Sequence, residues 1–86
     1  MIVNFYNSIL KYTHDEKSFE CAGNITVRNL IAELGNHYGA GFAEFLSGEN
    51  NCLILLNGKG LMTAQGLDTM LGANDKIDIL PFISMG

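Results

Sequence analysis

Ile2, Val3, Phe5 and Tyr6 open the chain as an apolar cluster whose pattern fades after the sixth position, which predicts a strand of about five residues. The polar stretch THDEKS (13–18) reads as a turn. Ser18 to Gly23 then alternates weakly, with Phe19 and Cys21 on one side and Glu20 on the other, so the two segments read as an antiparallel hairpin with a long connection. The period changes at Val27, where Val27, Leu30, Ile31, Leu34 and Tyr38 fall at i, i+3, i+4, i+7 and i+11. That spacing predicts a helix with an apolar stripe, and Thr26 stands where an N-cap hydroxyl is needed. Gly35 interrupts the stripe, Gly39 and Gly41 punctuate its end, and FAEFL (42–46) has room for a second short turn.

Cys52 to Leu56 is a continuous apolar run, followed by Asn57-Gly58, a pair that accepts positive φ and signals a tight hairpin. GLDTML (66–71) reads as one helical or 3₁₀ turn leading into a GAND turn (72–75). The final strand is expected over 76–83, with Pro81 marking where pairing stops or where no N–H is needed. One main helix between two hairpin-like units buries its stripe only by lying across a sheet built from both, an α+β solution. The most hydrophobic strand belongs in the middle of that sheet, which makes the first and last strands parallel central neighbours. This is the β-grasp, or ubiquitin-like, arrangement, with a mixed sheet of four to five strands. It predicts one domain over residues 1–83 and a flexible tail over 84–86.

Composition sharpens the picture by exclusion. A chain of 86 residues, 48% hydrophobic and 16% charged, suits one folded domain. No apolar run approaches the roughly 18 residues of a membrane-spanning helix, and no basic, apolar and small-residue leader pattern is visible, so no membrane association and a cytoplasmic address are expected. A net charge of −4 with scattered cations argues against nucleic acid and suits a partner with a basic surface. Cys21 and Cys52 read as buried or half-buried thiols in a reducing compartment. With His14 and His37 they form no metal-ligand spacing, so no metal is expected. GKG (58–60) is a hairpin tip rather than a phosphate loop, and Thr26 in the sequon NIT (24–26) is better used as the helix cap. No nucleophile–base or paired-carboxylate constellation suggests catalysis by this chain alone.

TVRNLIAEL (26–34), LILLNGKGL (53–61) and above all NDKIDILPFISMG (74–86) together resemble the MoaD/ThiS-type sulfur-carrier family, typified by the small subunit of molybdopterin synthase and the thiamine sulfur carrier. A helix of that start, an N-G hairpin and a proline-containing strand ending in glycine occur there in the same order. The resemblance implies that the terminal carboxylate of Gly86 is the reactive group. An ATP-dependent adenylating enzyme of the ubiquitin-activating type would activate it, and a sulfur donor would convert it to a thiocarboxylate. That group would then deliver sulfur in molybdopterin biosynthesis, through a large synthase subunit, or to a thiazole synthase in the thiamine branch.

On this reading Ser84 and Met85 thread the tail into the partner's site, where a glycine end fits a narrow channel. Leu61, Pro81, Phe82 and Ile83 are the candidate partner contacts. No cofactor is expected on the chain itself, since ATP belongs to the activating enzyme. One departure stands out. The family ends in Gly-Gly, whereas this sequence reads Met85-Gly86. An activating enzyme that accepts methionine, a carrier specialised for another pathway, or an end lying beyond residue 86 would each account for it. A ubiquitin-like protein modifier or interaction module is the alternative function.

Overall fold

The computed structural model describes residues 1–48, 51–61 and 66–82. Its centre is a parallel pair. Strand β1 (Ile2–Phe5) runs beside β7 (Lys76–Pro81), with Ile2 opposite Lys76 and Phe5 opposite Ile79. On the other side of β1 lies β2 (Ser18–Glu20), antiparallel, with Val3 opposite Phe19. On the other side of β7 lies β4 (Cys52–Leu56), which turns through Asn57-Gly58 into the edge strand β5 (Lys59–Leu61). Asn57 and Gly58 both take positive φ, 51° and 86°, as the hairpin requires. The five-stranded order is therefore β2-β1-β7-β4-β5, and the last strand is central.

Helix α1 (Val27–Tyr38) starts as its sequence prescribes, with the Thr26 hydroxyl accepting from the Asn29 amide at 3.1 Å. Val27, Leu30, Ile31 and Leu34 are all buried in one core with Val3, Phe5, Ile54, Ile77 and Ile79 from the inner faces of the strands. The architecture is the ubiquitin-like β-grasp.

Three local features differ from the expected outline. Residues Asn7–Lys11 form a 3₁₀ helix where the pattern had faded, because Ile9 plugs the core from that turn and is only 1% exposed. The second helical piece is α2 (Ala40–Ser47), a full helix whose Phe42 and Leu46 are buried. Gly35 explains how it fits: a Cβ there would stand 2.6 Å from the Ala43 Cβ, so the bare backbone lets α1 and α2 meet. Gly66 to Thr69 does form a turn, closed by Thr69 N–H to the Gly66 carbonyl at 3.0 Å. Met70–Leu71, however, is a strand, β6, paired with β3 (Ile25–Thr26) as a separate two-stranded sheet. Pro81 remains in register opposite Cys52, in keeping with a position where no N–H is needed.

Candidate functional site

Pro81 can sit inside a central strand because of where its missing N–H would point. The amide of Phe82 points toward β4, donating to the Asn51 carbonyl at 3.5 Å, while the Ile79 carbonyl points toward β1 and accepts from Tyr6 N–H at 3.1 Å. Alternation then turns the nitrogen of Pro81 to the β1 side, beyond Phe5, where β1 has already ended. Ile83, Ser84, Met85 and Gly86 lie outside the described residues. The described chain thus approaches the proposed reactive terminus along the central strand.

The same alternation sorts the candidate contacts by face. Ile77, Ile79 and Pro81 face the helices, whereas Asp78, Leu80 and Phe82 face the side of the sheet without helices. Phe82 is 48% exposed, and Leu53, paired with Leu80, is 39% exposed. Leu55, half-buried, continues this apolar strip beside Gly60 at the edge. Leu61 is not part of it. It lies opposite Ile54 on the helix side, half-buried against the core. The structure therefore places Phe82 on the same face as Leu80 and Leu53, with Leu55 farther along β4 opposite Asp78, and on the other face from Leu61. The sequence signal for the missed leucines was the unbroken apolar run CLILL, which supplies leucine at positions that alternation turns outward.

The β1 half of the open face carries exposed Ile2 but is centred on a carboxylate. Asp78 is 9% exposed, and its Oδ1 accepts from Asn4 Nδ2 at 3.1 Å and from the Tyr6 hydroxyl at 3.0 Å. Lys76 Nζ stands 3.9 Å from Oδ2. The hydrogen bond to Asp78 stabilises the protonated phenol and raises the Tyr6 pKa. The sheet surface is thus divided: an apolar strip on β4 and the end of β7, and a carboxylate-centred network on β1 and the start of β7.

Neither thiol is activated. Burial pushes the Cys52 thiol up to about 11, and burial followed by the Glu33 charge raises that of Cys21. Both are free cysteines, and no cluster of His, Cys, Asp or Glu among the described residues has metal-binding geometry. No helix among the described residues is long and apolar enough to cross a membrane.

Comparison with known proteins adds to this geometry. The fold is similar to that of CysO from Mycobacterium tuberculosis, with TM-score 0.79, 24% identity and coverage of 95% of this chain and 98% of that one. It is also similar to a putative molybdopterin converting factor, subunit 1, from Pyrococcus furiosus, with TM-score 0.71, 23% identity and 95% of each chain covered. The small archaeal modifier protein 1 of Methanosarcina acetivorans gives TM-score 0.73 and 22% identity over 99% of this chain and 94% of that one. At such identities these likenesses speak for the fold. Among curated proteins, none matches the chain in sequence. The model of the ThiS family matches residues 3–86, and with that span, from the second residue of β1 through Gly86, the chain belongs to the ThiS family.

Proposed function

We propose that this protein is a sulfur carrier whose Gly86 carboxylate is activated by a partner enzyme and converted to a thiocarboxylate. The observation that carries the reading is the placement of the apolar strip Leu53, Leu55, Leu80 and Phe82 on the open face, at the end of the central strand that leads to the terminus. A partner that works on the terminus needs a grip close to it, and a contiguous apolar surface supplies one. Membership of the ThiS family and likeness to a molybdopterin converting factor subunit support the same reading.

The chemistry follows from a carboxylate's poor electrophilicity. A carboxylate oxygen of Gly86 attacks the α-phosphorus of ATP in the activating enzyme, and pyrophosphate leaves. Hydrosulfide then attacks the acyl carbon and AMP departs, leaving the thiocarboxylate; a persulfide donor would instead give an acyl disulfide, which a thiol reduces to the same product. The chain supplies the docking surface and the reacting terminus, and the partner supplies ATP and catalysis. Sulfur delivery to a molybdopterin precursor through a large synthase subunit is the preferred product; a thiazole synthase would serve the thiamine branch. The likeness to a small archaeal modifier protein favours one second reading, attachment of the terminus to lysines.

Intact-protein mass spectrometry after incubation with an activating enzyme, ATP and a sulfur donor tests this. Exchange of oxygen for sulfur is expected, and deletion of Gly86 should abolish it. Met85 places a side chain where the related tails carry glycine, so Met85→Gly should speed the reaction with an enzyme adapted to Gly-Gly ends while leaving the melting temperature unchanged. If Met85→Gly shows no exchange with any activating enzyme tried while lysine-linked conjugates form, the carrier reading gives way to the modifier.

A further inference from the structure

We infer that Asn57 is a spontaneous deamidation site that the folded hairpin holds unreactive, and that its modification unfastens the hairpin from the central strand. Asn57-Gly58 is the one Asn-Gly pair in the sequence, and both residues are exposed. A glycine that follows asparagine leaves its amide nitrogen open to attack the neighbouring side chain, because no Cβ stands in the way. In that reaction the Gly58 nitrogen gives its proton to a solvent base and bonds to Cγ of Asn57. The Cγ–Nδ2 bond breaks and ammonia leaves. Water then adds to either carbonyl of the cyclic succinimide and opens it, giving aspartate, or isoaspartate when the main-chain carbonyl is the one cleaved. Nothing is oxidised or reduced; water enters and ammonia departs.

Two features of the fold oppose ring closure. The turn is of type I′, with φ 51° at Asn57 and 86° at Gly58, between the paired residues Leu56 and Lys59. In such a turn ψ of the first central residue is about 30°, which carries the Gly58 nitrogen away from Cβ, whereas the ring needs the two eclipsed. The side chain is also held at both of its polar atoms. Nδ2 donates to Asp75 Oδ1 at 3.0 Å, and Oδ1 accepts the Lys76 amide at 2.9 Å. The main-chain N–H of Asn57 donates to the Lys76 carbonyl at 2.9 Å. Asp75 is itself fixed, its Oδ2 accepting the Gly72 amide at 2.7 Å. The reaction therefore requires the hairpin tip to come away from β7 first.

The product cannot return to its place. Deamidation replaces Nδ2 with a carboxylate oxygen, so the donor that faced Asp75 Oδ1 becomes an acceptor of like charge. Isoaspartate also adds a methylene to the main chain of a tight turn, which shifts Lys59 out of register with Leu56. An opening that is transient in the native chain is thereby made permanent, and the start of the central strand loses its tie to the β4–β5 tip.

Incubation at neutral pH and physiological temperature, followed by peptide mapping with mass spectrometry, reads the conversion at Asn57. The wild type should deamidate at least about tenfold more slowly when folded than in denaturant. Asp75→Ala frees Nδ2 without touching the reacting atoms, so in the folded state it should lose most of that protection, while matching the wild type in denaturant. A variant that weakens the core but keeps the clamp separates local opening from unfolding. Leu30→Ala or the milder Ile31→Val, whichever melts closer to Asp75→Ala, should stay within about twofold of the wild-type rate. Asn57→Asp, which stands in for the product, should melt below the wild type. Equal rates in folded and denatured wild type, or an Asp75→Ala chain as well protected as the wild type, overturn the guarded site. A core variant that reacts as fast as Asp75→Ala overturns it too, by assigning the reaction to global unfolding. An unchanged melting temperature in Asn57→Asp overturns the unfastening.

Discussion

Asp75 ties two turns together through one carboxylate. Its Oδ2 accepts the Gly72 amide at 2.7 Å, and its Oδ1 accepts the Asn57 side-chain amide at 3.0 Å. Asn57 Oδ1 then accepts the Lys76 amide at 2.9 Å, so the β4–β5 hairpin tip is fastened to the start of β7. The Gly72 amide, and after it Asn57, hold the Asp75 carboxyl below the usual carboxylate range. With a lowered folded pKa, the stabilisation is present in full above the ordinary carboxylate value and is lost as pH falls through the depressed one. Asp75→Ala should therefore melt at a lower temperature than the wild type at neutral pH, and the gap should close on acidification through that range. Melting curves recorded from neutral to strongly acidic pH check this; a gap independent of pH would mean that ionisation of the carboxyl contributes nothing. The two thiols make a second contrast at this scale. Cys52, buried and pushed up to about 11, should resist alkylation in the native protein, while half-buried Cys21 reacts faster and both react on denaturation.

At the scale of elements, the contact between α1 and α2 carries the clearest test. Gly35→Ala gains helix propensity but drives a methyl into Ala43, and overpacking of that kind costs about 1–3 kcal/mol. Ala43→Gly should restore part of the loss, a coupling that a double-mutant cycle in denaturant reads directly. Leu30→Ala, which empties a site 3% exposed beneath α1, should cost about 2–5 kcal/mol by the same measurement. The stripe containing Leu30, the Thr26 cap, the Asn57-Gly58 turn and the central last strand were all legible in the sequence, because each is specified by local periodicity or by a backbone demand. The 3₁₀ helix was not, since only burial of Ile9 against distant strands holds it. Nor was the β3–β6 pair, whose strands of two residues each are too short to show alternation. Leu53 and Leu55 escaped notice as surface residues because an apolar run does not reveal which face is left uncovered. The chemistry proposed for Gly86 was legible only through resemblance, as no side-chain constellation encodes it.

For the molecule as a whole, the divided open face predicts unequal effects of substitution. Leu53→Glu puts a charge into the apolar strip at an exposed position, so it should leave the fold intact and weaken docking of an activating enzyme by more than about 1 kcal/mol. Ser18→Glu, on the same face at the far edge, should change binding little; calorimetric titration of both variants would reveal an equal loss if the strip were not the contact. The parallel pairing of the first and last strands has another consequence, a mechanical one. Because β1 and β7 run side by side in the same direction, Met1 lies at one end of the sheet and Phe82 at the other. Tension applied at the two ends of the chain pulls these strands past each other along their own axes, so their ladder bonds bear load together instead of opening one after another. Force applied between Met1 and the turn after β2 would instead peel the edge strand away pair by pair, at much lower tension.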